Sequence, residues 1–514
     1  MRLPTGESDV AVRPPSRRWR WGRGAAAVAA GALPALAFPA PSLWWWAYGA
    51  LVPWLLLLRT APDGRRAALD GWLGGAGFVL AVHHWLVPSL HVFILVLAAL
   101  LALLWAPWGL LAWWALRRAE RSPGRAVAAC AVVPSGWLMV ETVRSWEGLG
   151  GPWGLLGASQ WEVPPALRVA AFGGVWLVTL LVVAVNTAVA LLVAVPSVRG
   201  PAVAALAGGA LAVGAAWTWW EPPAQVGRAR IAVVQPGVVD GPGGPERRFA
   251  REEALTRSLA GRDVDLVVWG ESSVGADLAA RPDLAARLAA LSRDVDAELL
   301  VNVDARRSDL PGIYKSSVLV GPDGPTGDRY DKMRLVPFGE YVPLRSVLGW
   351  VTSVGRAADE DRRRGAEQVV MTVGTGSGRG LAVGPLVCFE SAFPDMSRRL
   401  AHAGAEVLVA QSATSTFQES WAPEQHASLA ALRAAETGRP VVHATLTGVS
   451  AVYGPDGARI GAPLGTDRGA AAVYDVSLPG GTTPYVRFGD WPLWAAGAVL
   501  AAAALGAVRR RTAP

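Results

Sequence analysis

The amino-acid sequence predicts a bundle of transmembrane α-helices joined to an α/β domain that lies outside the membrane. Hydrophobic residues make up 52% of the 514 residues and charged residues only 17%, which is too apolar for an ordinary soluble enzyme. Long apolar runs occupy residues 25–220, whereas residues 225–489 have the mixed composition of a globular domain. The two kinds of sequence meet near Glu221–Gln225, where we place a domain boundary.

Membrane spans are predicted from length, because about 20 mostly apolar residues are needed to cross a hydrocarbon core of about 30 Å. The first two candidate segments are short and are separated only by Pro39–Ser42, so a single kinked hairpin is an alternative there. The sequence predicts seven spans before the α/β domain and one after it: 25–41, 43–58, 68–88, 91–116, 126–143, 166–195, 202–220 and 491–508.

Arginine placement orients these spans, because short cytoplasmic loops collect Lys and Arg. The clusters fall before span one, after spans two, four and six, and at the end of the chain: Arg13, Arg17, Arg18, Arg20, Arg23, Arg59, Arg65, Arg66, Arg117, Arg118, Arg121, Arg125, Arg199, Arg509, Arg510 and Arg511. All lie on one side, which predicts that segments 1–24 and 509–514 are cytoplasmic and domain 225–489 is extracytoplasmic. The net charge of +7 is then mainly a topology signal, and a nucleic-acid surface is the weaker interpretation.

Three further features of the membrane half bear on topology. The basic amino terminus, followed by an apolar stretch and Ala35-Leu36-Ala37, could also be a signal peptide, but six more spans follow and favour an uncleaved first span. Many of the 25 Trp residues lie near predicted span ends, as in an interfacial aromatic belt. The Gly- and Trp-rich loop Trp146–Trp161 lies on the outer side, either as an interfacial loop or as an element that dips into the bilayer and contacts substrate.

The predicted outer domain alternates β-rich and helical patterns. Its strands are expected at Arg230–Gln235, Asp265–Trp269, Glu298–Val303, Ser316–Val320, Leu381–Phe389, Glu406–Gln411 and Val441–Thr445. Its helices are expected at Glu246–Leu259, Leu284–Ser292, Pro394–Ala401 and Glu424–Glu436, with Pro-Asp-Gly turns at 322–324 and 455–457. This alternation is typical of an α/β domain.

The chain has two cysteines, which excludes a disulfide framework unless they pair with each other. Cys130 falls inside the fifth predicted span, out of reach of an external domain, and is best explained as a small apolar residue. Cys388 is then a free thiol in an oxidising compartment, where disulfides form readily, and this exposure favours a functional role. The six His residues show no metal-ligand spacing, so we expect neither a metal nor another cofactor.

Three ionisable residues follow or lie near predicted strands, where reactive groups of α/β layers collect. Glu271 and Cys388 end strands, and Lys332 lies in the segment that begins at Tyr330. A carboxylate base, an ammonium and a thiol nucleophile together suffice for acyl transfer.

Singly, each of the three residues also has an ordinary structural explanation: a strand-end cap, a surface cation and a buried small residue. Lys332 is singled out by composition, because only it and Lys315 are lysine among 48 Lys plus Arg. A compact ammonium at an oxyanion site cannot be replaced by arginine.

The motifs Val268-Trp-Gly-Glu271, Tyr330-Asp-Lys332, Pro337-Phe-Gly-Glu-Tyr-Val-Pro343 and Cys388-Phe-Glu390 occur in this order, with spans before them and one after. In this respect the chain resembles the apolipoprotein N-acyltransferase family, the membrane branch of the nitrilase (carbon–nitrogen hydrolase) superfamily. The resemblance extends over nearly the whole chain, and the Phe-Gly-Glu-Tyr-Val-Pro segment is its most specific part.

The resemblance implies an αββα domain in which Glu271 is the general base, Lys332 the oxyanion stabiliser and Cys388 the nucleophile. Glu340 matches a second essential glutamate and Glu390 a further one, and the Phe389 amide would contribute to the oxyanion hole.

The implied reaction takes an acyl chain from a phospholipid onto Cys388 as a thioester. It then transfers the chain to the free α-amino group of a diacylglyceryl-cysteine at the amino terminus of an apolipoprotein. A multi-pass protein of the bacterial plasma membrane is implied as well.

The sequence departs from the family pattern at two places. Gly270 stands where many members have proline, and Ser412–Phe417 replaces an Asn-Asp-x-Trp-Phe-like stretch. Two other functions therefore compete: a membrane-anchored amidase that uses the same triad, and a catalytically weak paralogue that acts as a scaffold in lipoprotein processing. Eight spans argue against a mere anchor, and the intact triad argues against a scaffold.

Overall fold

The structure, a computed structural model, describes residues 17–239, 241–343, 345–348, 360–376 and 378–512. Arg13 and the other residues before position 17, as well as the last two residues of the predicted basic tail, lie outside the described part. Two regions follow one another along the chain: a helical region up to Trp219 and an α/β domain from Gln225, after which one long helix ends the described chain. The last helix of the first region ends at Trp219 and strand Gln225–Gln235 follows it, on either side of the segment near Glu221 where the sequence predicts a domain boundary.

The helical region is built from apolar helices that pack on one another through a core of Trp, Leu, Val and Ala side chains. Prolines begin several of these helices, where their missing N–H has no intrahelical role. The helices are α1 (Arg17–Ala32), α2 (Val52–Arg59), α3 (Gly64–Val82), α4 (Val87–Leu90), α5 (Phe93–Ala102), α6 (Trp105–Ala119), α7 (Pro123–Arg144), α8 (Pro164–Ala194) and α9 (Arg199–Trp219).

By length and composition, four helices of the described chain could each cross a membrane: α7, α8, α9 with the turn before it, and the final helix Trp491–Thr512. Two bent pairs raise this number to six at most: α3 with the His84–Leu90 segment, at 66°, and α5 with α6, at 42°. Six of the eight predicted spans fall on these helices.

The separate spans predicted at 25–41 and 43–58 are not formed as continuous helices. Helices α1 and α2 have only 16 and 8 residues, and each is joined to a short 3-10 helix, at Leu33–Ala37 and Trp44–Tyr48. The prolines between positions 34 and 41 explain the break, because proline cannot continue the hydrogen bonding of an α-helix.

The α/β domain contains two six-stranded sheets. Its elements are β1 (Gln225–Gln235), α10 (Gly244–Arg257), β2 (Leu266–Trp269), α11 (Pro282–Val295), β3 (Glu298–Arg306), β4 (Ile313–Gly321), β5 (Gly324–Asp331), α12 (Arg345–Leu348), β6 (Met371–Val373), β7 (Leu381–Val387), α13 (Pro394–His402), β8 (Val407–Ser412), α14 (Ala422–Thr437), β9 (Val441–Thr445), β10 (Ser450–Tyr453), β11 (Arg459–Leu464), β12 (Ala470–Pro479), α15 (Pro484–Phe488) and, after it, α16 (Trp491–Thr512). The sheet orders are β12-β1-β2-β3-β4-β5 and β11-β10-β9-β8-β7-β6.

The two sheets pack face to face, and helices cover their outer faces. Val268 of the first sheet and Val409 of the second belong to one buried core. Helices α10 and α11 cover the first sheet through a second core, and α13 and α14 cover the second sheet and also pack on the helical region. This is the αββα sandwich expected from the resemblance.

The seven predicted strands and four predicted helices of this domain all form, with ends shifted by a few residues. The strand predicted at Leu381–Phe389 ends at Val387, because Cys388 begins a 3-10 helix, Cys388–Ala392. Both predicted Pro-Asp-Gly turns lie in hairpins, between β4 and β5 and between β10 and β11.

Helix α8 is broken where the α/β domain contacts it. Gly173 and Gly174 have non-helical backbone angles, and the ring of Tyr485 lies where a side chain on Gly174 would stand. The Glu436 carboxylate of α14 accepts a hydrogen bond of 2.7 Å from the Val175 amide, one of the amides that the break leaves without an intrahelical acceptor. The domain is thus docked on the helical region by a polar contact as well as by apolar packing.

Candidate active site

The three predicted catalytic residues converge at the ends of three strands. Glu271 follows β2, Lys332 follows β5, and Cys388 follows β7. The strand residues before Glu271 and Cys388 are buried, and before Lys332 the strand β5 buries Tyr330. The structure thus brings together three residues that are more than 50 positions apart along the chain.

Four charged side chains form a buried group, which we call the charged quartet: Glu271, Lys315, Lys332 and Glu340. The Lys332 ammonium lies 2.7 Å from Glu340 Oε1 and 3.3 Å from Glu271 Oε1. The Lys315 ammonium lies 2.8 Å from Glu271 Oε1 and 3.2 Å from Glu340 Oε1. Each positive group therefore contacts both negative groups, and the four formal charges cancel.

Lys315 is the member of the quartet that the sequence prediction missed. The signal was available, since the scarcity of lysine that singled out Lys332 applies equally to Lys315. Lys315 lies inside β4, away from any recognisable motif, whereas Lys332 lies in one. The chain's two lysines thus lie in the same site.

The quartet keeps both carboxylates ionised although they are buried. Burial alone would raise the pKa of Glu271, but Lys315 and Lys332 outweigh it and lower this pKa to about 2. The pKa of Glu340 is lowered for the same reason: burial opposes ionisation, and Lys332 and Lys315 outweigh it. Glu340 is further held by the Val336 amide, which donates a hydrogen bond of 2.8 Å to Oε2.

Cys388 combines a partly exposed position with a protonated thiol. Desolvation and the nearby Glu271 carboxylate raise the pKa of Cys388 to about 12, against the opposing effect of Lys332. The thiol lies close enough to Glu271 to help lower the pKa of that carboxyl. In the resting site the proton therefore lies on sulfur, next to a carboxylate that can accept it during attack.

The backbone around the site is held in sparsely populated conformations. Cys388 has φ +51, Ser272 beside Glu271 has φ +57, and Phe338 near Glu340 has φ +63. Residues other than glycine rarely adopt positive φ, and such strain persists only where surrounding contacts enforce it.

The contacts that enforce the Cys388 conformation come from its own turn and from α14. The Cys388 carbonyl accepts hydrogen bonds from the Ser391 hydroxyl at 2.9 Å and from His426 Nε2 at 3.1 Å. Burial lowers the pKa of His426 to about 4, so the ring is neutral and carries its proton on Nε2. His426 was not singled out by the sequence, in which it is one of six His without a motif.

Glu390 joins the lysine segment to the nucleophile strand. Its Oε1 accepts hydrogen bonds from the Tyr330 hydroxyl and the Met333 amide, both at 2.7 Å, and its Oε2 accepts one of 2.8 Å from the Val387 amide. These bonds flank Lys332 on one side and Cys388 on the other. Glu390 therefore lies behind the triad and holds its two parts together.

Phe389 lies between the nucleophile and the helical region. Its ring meets Phe393 edge-on, with centroids 4.9 Å apart, and a Cβ on Gly151 would stand 2.5 Å from the Phe389 ring. Gly151 has φ +70, so both its conformation and this close approach require glycine. The loop 146–161 predicted on the outer side thus packs directly behind Cys388.

Tryptophans from the helical region complete this contact. Trp153 and Trp85 donate hydrogen bonds to Gln425 Oε1, at 2.8 and 3.2 Å, and the Trp85 ring meets Phe417 with centroids 4.9 Å apart. Phe417 ends the segment 412–417, in which this chain departs from the family pattern. Helices and domain therefore share one aromatic surface beside the site.

Both cysteines are free in the structure. Cys130 lies in α7, within the helical region. Among the described residues, no group of three or more His, Cys, Asp or Glu is arranged to hold a metal ion. The groups assembled at the site are those of covalent acyl transfer: a thiol, a carboxylate beside it and an ammonium.

Comparisons with known proteins agree with these observations. The model of the apolipoprotein N-acyltransferase N-terminal domain matches residues 30–188, and the carbon–nitrogen hydrolase model matches residues 210–479. Apolipoprotein N-acyltransferases from Azotobacter vinelandii and Geobacter metallireducens are 33% and 30% identical to the chain. They cover 92% and 95% of it, and the alignments include 93% and 95% of those proteins.

Two solved structures each match about half of the chain. An amidase from Nesterenkonia sp. AN1 covers 50% of this chain and 95% of its own, at 19% identity and a TM-score of 0.35. Nit3 of Saccharomyces cerevisiae covers 51% of this chain and 93% of its own, at 18% identity and a TM-score of 0.37. The α/β domain, with its two sheets and its carbon–nitrogen hydrolase match, is nitrilase-like. With a helical amino-terminal domain and a carbon–nitrogen hydrolase domain matched in sequence, and close relatives aligned over nearly its full length, the chain belongs to the apolipoprotein N-acyltransferase family of acyltransferases.

Proposed function

We propose that the protein transfers an acyl chain from a membrane phospholipid to the α-amino group of a diacylglyceryl-cysteine at the amino terminus of an apolipoprotein. The observation that carries the proposal is the placement of Cys388, which is partly exposed and lies beside the Glu271 carboxylate and the Lys332 ammonium. Relatives aligned over nearly the whole chain carry the name of this activity. Their name supports the donor and acceptor classes, and the site supports the chemistry.

The first half-reaction forms a thioester. Glu271 takes the thiol proton as Cys388 sulfur attacks the ester carbonyl of the phospholipid, and the Lys332 ammonium and the Phe389 amide stabilise the negative charge on the carbonyl oxygen. Collapse of this intermediate breaks the ester C–O bond. The leaving alkoxide of the lysophospholipid takes the proton from Glu271.

The second half-reaction reverses the proton movements. The neutral α-amine of the acceptor attacks the thioester carbonyl, and Glu271 takes a proton from the nitrogen. When the C–S bond breaks, the proton returns from Glu271 to the Cys388 sulfur. The products are an N-acylated lipoprotein and the starting enzyme, so atoms and protons balance over the cycle.

The supporting residues have positional roles in this scheme. Glu340 holds the Lys332 ammonium within the charged quartet. Glu390 fixes the strand ends that carry Lys332 and Cys388. The helical region brings the site to the lipid, since the loop at Gly151 and Trp153 packs beside the nucleophile turn.

A competition between substrate classes tests this function. Purified protein in detergent is given a phospholipid with a labelled acyl chain, together with a diacylglyceryl-cysteine peptide, a simple amide or no acceptor. We expect label on the peptide nitrogen and no hydrolysis of the simple amide. Hydrolysis of the simple amide without acyl transfer would identify an amidase, and absence of both reactions would identify a scaffold.

Orientation is part of the proposal, with the α/β domain outside a bacterial plasma membrane. Its support is the one-sided distribution of arginine clusters together with the candidate spanning helices. A reporter active only outside the cytoplasm, fused at residue 300, should be active, and the same reporter after residue 121 should be inactive. The opposite pattern would contradict the proposed topology.

A further inference from the structure

Lys315 is a second ammonium group in the site, and neither the triad nor its supporting glutamates account for it. It lies on β4 opposite Asp304 of β3, and its carbonyl accepts a hydrogen bond of 2.8 Å from the Lys332 amide. The two lysines are therefore neighbours across adjoining segments of the same sheet. Both ammonium groups contact the same two carboxylate oxygens, of Glu271 and Glu340.

Charge neutrality requires both lysines. Without Lys315, two buried carboxylates would share one ammonium and the site would carry a net negative charge. Two buried carboxylates in that situation cannot both stay ionised at little cost, so one of them takes up a proton at a higher pH. With Lys315 present, the pKa of each carboxylate is lowered in spite of burial.

The other polar groups around the quartet do not replace this charge. Asp304 lies 3.8 Å from Lys315 and is itself an acid. The guanidinium of Arg362 pairs with Asp304 at 3.4 Å, so its positive charge does not replace that of Lys315 at Glu271 and Glu340. The Cys388 thiol is protonated, and the nearby His426 ring is neutral because burial lowers its pKa. Lys315 and Lys332 are the two cations in contact with the carboxylates of Glu271 and Glu340 among the described residues.

We propose that Lys315 is a positioning residue whose ammonium keeps Glu271 and Glu340 ionised together and holds Glu271 beside the Cys388 thiol, leaving Lys332 to serve the oxyanion. This inference rests on the proposed function for the roles of Glu271, Lys332 and Cys388. The two lysines then differ in what they must provide. Lys332 must be compact and must reach the reacting carbonyl, whereas Lys315 must supply a positive charge.

The surroundings of the two lysines agree with this division. The Lys332 side chain is completely buried, whereas 14% of the Lys315 side chain is exposed, next to strand β3. An arginine at position 315 can contact the two carboxylates while part of its larger guanidinium group occupies this opening. An arginine at position 332 has no such opening, and its planar guanidinium is a poor substitute for a compact ammonium.

The test measures how the acylation of Cys388 depends on pH. The full chain in detergent, with Cys130→Ala so that Cys388 is the single thiol, is mixed with p-nitrophenyl butyrate at pH values from 4.5 to 8. Samples are quenched in acid, and acyl-enzyme is quantified by intact mass. The variants are Lys315→Met, Lys315→Gln and Lys315→Arg, and Arg306→Gln is the matched control because it removes an exposed cation of the adjoining strand β3.

In the background protein and in Arg306→Gln, acylation should show no acid limb above pH 5, because Glu271 is ionised there. In Lys315→Met and Lys315→Gln, an acid limb should appear with an apparent pKa about one unit above pH 5, which lowers the rate at pH 5 about tenfold relative to pH 8. Lys315→Arg should restore the background profile. A purely structural role would lower the rate equally at every pH.

Two results would overturn the inference: pH profiles of Lys315→Met and Lys315→Gln that run parallel to the background, or an acid limb that Lys315→Arg fails to remove. Phospholipid is used as donor in a parallel series. Acylation by p-nitrophenyl butyrate with the expected pH shifts, but none by phospholipid, would refute the proposed donor and leave the role of Lys315 supported.

Discussion

The two sides of the active site are held in place by different forces. On one side, the charged quartet fixes Glu271 and Lys332 by four short contacts between opposite charges. On the other side, Cys388 is fixed by a strained turn whose carbonyl is bound by Ser391 and a neutral His426. The first side therefore depends on charge balance, and the second depends on backbone geometry and shape.

This difference has a consequence for the helical region. The charged quartet is built within the first sheet and the segments that follow its strands, whereas the nucleophile turn is packed against Gly151, whose loop belongs to the helical region. Displacement of the helices should therefore disturb the nucleophile more than the base. Substitutions on the two sides should be separable by what they change: pH dependence on the charged side, and rate alone on the nucleophile side.

The largest effect is expected at the nucleophile itself. Cys388→Ala and Cys388→Ser should abolish acyl transfer, because the thioester cannot form. Transfer from labelled phospholipid to a diacylglyceryl-cysteine peptide is the measurement. Cys130→Ala is the matched control and should retain activity, since Cys130 lies in α7; normal transfer by Cys388→Ala would refute the triad.

The next largest effects are expected on the charged side. Glu271→Gln should lower the rate of thioester formation by about 10²–10⁴, the contribution of a general base. Lys332→Arg should fail as well despite its charge, because a guanidinium cannot take the position of a compact ammonium. Single-turnover acylation of Cys388, measured by intact mass, tests both variants. Full acylation of Cys388 in Glu271→Gln would mean that Glu271 is not the general base and would make Glu340 the next candidate.

A smaller effect is expected from His426, which acts on the nucleophile turn through one hydrogen bond. His426→Leu should lower the acylation rate about fivefold, since a hydrogen bond contributes about 1 kcal/mol, and His426→Gln should recover part of the loss by donating to the Cys388 carbonyl. The pH profile should keep its shape in both variants. A shifted profile would mean that His426 carries charge in the reaction.

The smallest effect concerns stability. The pKa of Glu271 is lowered from 4.5 to about 2 in the folded protein. Its ionisation therefore contributes stability that is fully present above pH 4.5 and is lost as the pH falls toward 2. The melting temperatures of wild type and Glu271→Gln should run parallel from pH 5 to 8, and below pH 4.5 the wild type should lose stability faster. If the two melting temperatures already diverged at pH 6, the pKa of Glu271 would not be lowered as described.

Much of the α/β domain was predictable because its buried strands are short runs of β-branched and aliphatic residues between turn signals. Strands β5, β6, β10, β11 and β12 were missed. Strand β5 reads Gly-Pro-Thr-Gly-Asp-Arg-Tyr-Asp, which resembles a loop, and pairing with β4 overrides that local preference. In the helical region, composition located the apolar segments but not the break at Gly173–Gly174, which depends on contacts with Tyr485 and Glu436.

Motifs in the sequence pointed to Glu271, Lys332 and Cys388 and to the nearby Glu340 and Glu390, but not to the contacts of Lys315 and His426. His426 and Lys315 act through contacts between residues 38 and 44 positions apart along the chain. The positive φ of Cys388 could not be predicted, because its apolar neighbours Val387 and Phe389 make the strand pattern continue through this position. These features arise where the ends of strands from two sheets meet. A single sequence does not show which strand ends will meet.

The central claim is that Cys388 carries the acyl chain as a thioester. Full-length protein with Cys130→Ala is incubated with phospholipid alone, and the mass of the intact protein and of the peptide that contains Cys388 is measured before and after addition of a diacylglyceryl-cysteine peptide. We expect a gain of one acyl group on Cys388 that hydroxylamine removes and that the acceptor peptide discharges. Transfer to the acceptor without any acyl group on Cys388, or an acyl group that persists in Cys388→Ala, would contradict the account.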